Sequence, residues 1–78
     1  MKVRIKAYGI ARDITGGTLD LEFDGQTVAH LRKSLYERYP ALSGLASMMV
    51  AVNQQYAGNE VALHADDEIV LIPPVSGG

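Results

Sequence analysis

One long stretch of this chain spaces its apolar residues as a helix does: Val28, Leu31, Leu35 and Tyr39, with Thr27 a credible N-cap and Pro40 a stop. That single feature limits the fold severely. One central helix covers one face of one small sheet, so the strands on either side of it must collect into a single layer. Arg32, Lys33 and Glu37 fall on the solvent side of the predicted helix.

The strands are legible by alternation. In residues 2–8, Val3, Ile5 and Ala7 face one way and Lys2, Arg4, Lys6 and Tyr8 the other, the period-two pattern of a half-buried strand. Residues 18–23 repeat it, with Leu19, Leu21 and Phe23 inward and Asp20 and Glu22 outward. The connection over residues 9–17 offers Ile10 and Ile14 to pin a helical turn, and Gly16-Gly17 turns the chain. Paired as a hairpin, the two strands set Lys2, Arg4 and Lys6 on the same open face as Asp20 and Glu22. Opposite charges across strands stabilise such pairing by a few tenths of a kcal/mol, so the basic row reads as cross-strand pairing rather than as an anion site.

After Pro40, residues 41–47 read as a short irregular link and residues 48–52 (Met-Met-Val-Ala-Val) as a strand buried on at least one face. Residues 53–59 are a turn-rich return, Val61 and Leu63 a short edge element, and Asp66-Asp67 a turn. Residues 68–72 form the last strand, with Ile69 and Leu71 on one face and Val70 and Ile72 on the other. Pro73-Pro74 ends it, since neither residue donates to a ladder. This order predicts an α+β fold of the β-grasp (ubiquitin-like) kind: a mixed sheet of four to five strands with one main helix packed on one face. In that arrangement the first and last strands run parallel at the sheet centre, and Tyr8, Val70 and Ile72 lie on the uncovered face. The expected organisation is a β-grasp domain over residues 1–72 and a flexible tail over 73–78.

Composition narrows the chemistry. Apolar residues make up 47% of the chain and charged residues 21%, too hydrophobic for disorder and ordinary for a folded domain. With 78 residues there is room for one domain, which buries roughly 60% of the surface its unfolded form exposes. No cysteine is present, which removes disulfides, thiolate metal sites and a thiol nucleophile. His30 and His64 stand far apart without clustered partners, so no metal is expected. No apolar run approaches the ~18 residues of a spanning helix, and the start shows no targeting pattern, so a cytoplasmic protein is expected. Every base lies at or before Arg38, and the charges after it are the acids Glu60, Asp66, Asp67 and Glu68. That distribution argues against a nucleic-acid surface and for a basic partner at the C-terminal end.

The last six residues, Pro73, Pro74, Val75, Ser76, Gly77 and Gly78, contain almost nothing that packs a core. Extended, they reach up to ~20 Å, stiff at the prolines and thin at the glycines. A tail so built is shaped to enter a narrow channel and present its carboxylate.

The run Asp67-Glu68-Ile69-Val70-Leu71-Ile72-Pro73-Pro74-Val75-Ser76-Gly77-Gly78 resembles the C-terminal motif of molybdopterin synthase small subunits. Ala51-Val52-Asn53-Gln54 is similar to that family's central strand, and Tyr8 to Gly16, with Arg12 inside, to its first connecting loop. Thiazole-synthesis sulfur carriers share the fold and the diglycine but usually lack the Pro-Pro. The resemblance implies a cycle at Gly78, with Gly77 beside it. An adenylating enzyme of the ubiquitin-activating type spends ATP to make an acyl-adenylate, and a sulfur donor replaces AMP to leave a thiocarboxylate. The large synthase subunit then receives that sulfur for cyclic pyranopterin monophosphate. It further implies no bound cofactor and no catalysis by this chain alone. Docking onto both partners is expected through Tyr8, Tyr56, Val70 and Ile72, continued by Pro73, Pro74, Val75 and Ser76, with Arg12 either positioning the tail or partner or forming a salt bridge within its loop. A carrier for another sulfur-containing metabolite, and a protein modifier conjugated through Gly78, are the alternatives.

Overall fold

The computed structural model describes residues 1–45 and 48–73. Among them, strand β1 (Lys2–Ala7) leads through helix α1 (Gly9–Thr15) to strand β2 (Thr18–Glu22), then to helix α2 (Val28–Arg38) and a 3-10 turn over Pro40–Gly44. Strand β3 (Met49–Val52), the short β4 (Gln55–Tyr56) and β5 (Ile69–Ile72) complete one five-stranded sheet in the order β2-β1-β5-β3-β4. The β1–β5 pair is parallel and the other three pairs are antiparallel. This is the β-grasp arrangement that the element order predicts.

The core forms where the two periodicities meet. Val28, Leu31 and Leu35 on α2 pack over Val3, Ile5, Leu19, Leu21, Val50, Ile69 and Leu71 of the sheet, all of them buried. Tyr39, the C-cap residue of α2, completes the stripe half-buried, packed against the same core. Thr27 caps the other end as expected: its Oγ accepts from the His30 amide at 3.4 Å, and His30 Nδ1 in turn accepts from the amides of Gln26 (3.1 Å) and Thr27 (3.3 Å). Histidine thus fills the place that glutamate takes in most capping boxes. Its ring lies over Gly25 (φ +123), where any Cβ would collide with it.

The helical turn expected over residues 9–17 is α1, pinned by Ala11 and Ile14 rather than by the exposed Ile10, and Gly16, in the left-handed region at φ +95, ends it. Three further expectations need correction. The link after Pro40 is ordered over Pro40–Gly44, held by the buried Leu42. The edge strand is β4 and not the Val61–Leu63 segment: Asn53 (φ 52) and Gln54 (φ 71) turn the chain in a two-residue hairpin. Leu63 is buried, but its segment bonds to the entry of α2, through Leu63 N to Gln26 O at 2.6 Å and Val28 N to Val61 O at 3.0 Å. Arg32 is half-buried rather than solvated, with Nη1 donating to the Tyr36 hydroxyl at 3.1 Å.

The turn before β5 is pinned by side chains. Asn53 Nδ2 donates to Asp67 at 3.0 Å and its Oδ1 accepts from the Glu68 amide at 3.0 Å, while Asp67 also accepts from the His64 amide at 2.8 Å. Asn53 therefore couples the β3–β4 hairpin to the residues that launch the last strand. No helix among the described residues is long and apolar enough to cross a membrane.

Candidate functional site: the open sheet face and the end of the last strand

The face of the sheet away from α2 changes character across its width. On β1 and β2 it is charged. Lys2 stands opposite Glu22 and Arg4 opposite Asp20, with Arg4 Nε donating to Asp20 Oδ1 at 3.2 Å. Beyond β5, Asp66, Asp67 and Glu68 border the same surface groove as Lys2, Arg4 and Lys6. The basic row is thus flanked by acids on both sides, which agrees with the cross-strand reading.

Toward β4 the face turns apolar. Register carries one row continuously through all five strands: Thr18, Lys6, Val70, Ala51 and Tyr56. Met49 stands opposite Ile72 in the next row. Tyr8, Met49 and Tyr56 are 54%, 42% and 68% exposed, and Val70 and Ile72 are half-buried with nothing of α2 above them. Exposed apolar area gathered in this way marks a partner surface more often than scattered single residues do.

Of the sequence-derived candidates, Val70, Ile72 and Tyr56 share this face through strand pairing, and Tyr8 follows β1 as the N-cap residue of α1. Pro73 leaves β5 at the same end and packs against Gly9. Arg12 is exposed on α1 and lines a separate shallow groove with Lys6 and Tyr8, in which no acid among the described residues takes part. No ion pair joins Arg12 to a described residue. Pro74, Val75, Ser76, Gly77 and Gly78, which include the two residues expected to carry the chemistry, lie outside the described residues.

Met49 and Ile10 were not among the candidates. Met49 sits in a continuous apolar run, which reads as buried; only parity against Val50 and Val52, both in the core, sends it outward. Ile10 is 48% exposed on α1 because Ala11 takes the buried side of that short helix. Among the described residues no three His, Cys, Asp or Glu side chains are gathered as a cation site requires. Among the described residues the one clearly displaced ionisation is that of Asp67, whose carboxyl is held below its usual range by the Asn53 amide and then by the His64 backbone N–H. Those bonds fasten the turn before β5.

Comparison with known proteins follows this geometry closely. The model of the ThiS family matches residues 5–78. The molybdopterin synthase sulfur carrier subunit of Caenorhabditis briggsae is 39% identical, with 100% of this chain and 99% of that protein covered. Among solved structures, SAMP1 of Haloferax volcanii, a small archaeal modifier protein, superposes with a TM-score of 0.82 at 29% identity, covering 100% of both chains. A chain of the complex between subunits 1 and 2 of the molybdopterin-converting factor of Helicobacter pylori gives 0.70 at 25%, again covering 100% of both.

Proposed function

Because the chain belongs to the ThiS family, we propose that it is a sulfur carrier, the non-catalytic small subunit of a molybdopterin synthase, whose reactive atom lies on the Gly78 carboxylate. The observation that carries this reading is the family match, which extends through the last strand to Gly78, on a sheet whose apolar open face borders the end of that strand. The relative named a molybdopterin synthase sulfur carrier subunit aligns over the whole chain and favours molybdenum cofactor synthesis over thiazole synthesis.

The chemistry follows from the acyl carbon. A free carboxylate is a poor electrophile, so an activating enzyme converts it with ATP into an acyl-adenylate, releasing pyrophosphate. A sulfur donor displaces AMP and leaves a thiocarboxylate, ionised at neutral pH and nucleophilic for the same reason that thiolates are. Docked on the large synthase subunit, that sulfur passes to cyclic pyranopterin monophosphate. This chain contributes the sulfur atom and a docking surface; the partners contribute the acid and base groups. The Helicobacter assembly of two subunits supports a large subunit as one partner, and Arg12, with no acid in its groove, suits a carboxylate on either partner.

The test is deletion of Gly78, measured by ATP–pyrophosphate exchange with the cognate activating enzyme beside thermal melting. Lost exchange with unchanged melting supports the mechanism, and full exchange by the deletion variant sinks it. The likeness to SAMP1 favours a second reading, a protein modifier joined through Gly78 to lysine. Intact-mass spectra from the native host separate the two: a carrier shows sulfur in place of one oxygen, a modifier shows conjugates.

A further inference from the structure

Gly9 opens α1 with φ +57, directly after the exposed Tyr8. A Cβ placed there would stand 3.0 Å from Pro73 Cγ and 4.0 Å from Pro73 Cδ. Ordinary carbon contacts begin at roughly 3.5 Å. The pyrrolidine ring of Pro73 therefore occupies space that a side chain at position 9 would claim. Neither the core nor a sheet ladder imposes this contact, since the exposed Gly9 belongs to neither. Pro73 is also the residue through which the chain passes from β5 to its last five residues.

Gly16 shows that the two constraints are separable. It too lies in the left-handed region, at φ +95, but a Cβ there meets nothing within 4 Å. Glycine at position 16 answers a backbone requirement alone; at position 9 it answers a backbone requirement and a contact.

We infer that Gly9 is a positioning residue for the C-terminal chemistry: its missing side chain seats Pro73 against the start of α1 and so fixes where the chain leaves the sheet. The inference rests on the carrier reading, in which a partner grips the open face and receives Gly78 at a fixed distance from it. With the face docked, a displaced Pro73 shifts the reacting carbon relative to the enzyme that attacks it. Misplacements of this size cost rate and leave docking intact.

The experiment compares Gly9→Ala with Gly16→Ala, each imposing a Cβ on a left-handed glycine, in the full-length protein with its activating enzyme. Gly9→Ala lowers kcat for adenylation about tenfold with KM for the carrier near the wild-type value. Gly16→Ala lowers the melting temperature and leaves both constants alone. In a Pro73→Gly background, where the ring is gone, adding Gly9→Ala costs no further rate.

Proton and carbon NMR supply a readout independent of activity. The Pro73 ring resonances and the amides after Pro74 shift in Gly9→Ala and stay in place in Gly16→Ala. Wild-type kcat in Gly9→Ala, unmoved Pro73 resonances, or an equal further loss in the Pro73→Gly background would each overturn the inference. A wild-type protein inert in exchange would count against the carrier reading, while the resonances still decide on Gly9.

Discussion

The two faces of the sheet are built from the same strands and do opposite work. Under α2, Val3, Ile5, Val50, Ile69 and Leu71 are each no more than 1% exposed, and their neighbours in sequence, Arg4, Lys6, Met49, Val70 and Ile72, make up the open face. Alternation lets one strand serve stability and recognition at once, because successive residues never share a surface. The open face then divides again, charged on β1 and β2 and apolar on β5, β3 and β4. The apolar half includes β5, the strand that leads to Pro73, and on the proposed carrier reading the docking surface draws nothing from the core.

That separation breaks most severely at the helix-covered face. Leu31→Ala removes a side chain with no exposure and should cost about 3 kcal/mol, lowering the melting temperature by roughly 15 °C. Below its lower transition the variant should load sulfur normally; a loading defect in fully folded protein would mean that the two faces are coupled. On the opposite side, Ile72→Lys places a charge within the apolar patch opposite Met49. Calorimetry should find binding to both partners weakened by about 2 kcal/mol, roughly thirtyfold, with melting little changed. Unchanged affinity for both would remove the patch from the interface.

Thr27→Ala tests the margin of the covered side. Loss of the reciprocal cap with His30 should cost about 1 kcal/mol, seen as a shift in denaturant midpoint without change in slope. A smaller effect belongs to the turn before β5. Because the Asp67 carboxyl ionises more readily in the folded chain, its contribution is fully present above the ordinary aspartate value of about 3.9 and is lost as pH falls through the lower folded value. Acid titration of stability should therefore be flatter in Asp67→Asn over that window, and an identical acid limb would remove the group from the balance. Smallest of all is Arg4→Ala, whose exposed pair with Asp20 should change stability by no more than about 0.5 kcal/mol. A larger loss would give the charged half of the open face a structural role that exposed pairs rarely have.

How much of this was readable in the chain follows from the range over which each signal acts. The strands β1 and β2 and the stripe of α2 are local periodicities, and Thr27 announces its cap within three residues. The β4 edge was missed because its turn is Asn53-Gln54: both residues take positive φ, a role that glycine signals and glutamine does not. Val61 and Leu63 share the apolar spacing of a strand yet pair with the entry of α2, a choice made by tertiary contact. Within the site, parity placed Val70 and Ile72, whereas Met49 stayed hidden in a run without polar residues to set the phase. The Gly9–Pro73 contact joins residues far apart in sequence and leaves no local trace. The terminal diglycine was visible from composition, proline stop and resemblance together.

The parallel pairing of β1 with β5 has a mechanical consequence. Force applied between Lys2 at the start of β1 and Ile72 at the end of β5 runs along both strands, so the hydrogen bonds between them share the load in shear and do not open one at a time. Strand β5 is also paired along its other side, antiparallel to β3. On the carrier reading proposed above, a partner that pulled on the end of this chain would load a strand paired on both sides, and the open face would stay in register.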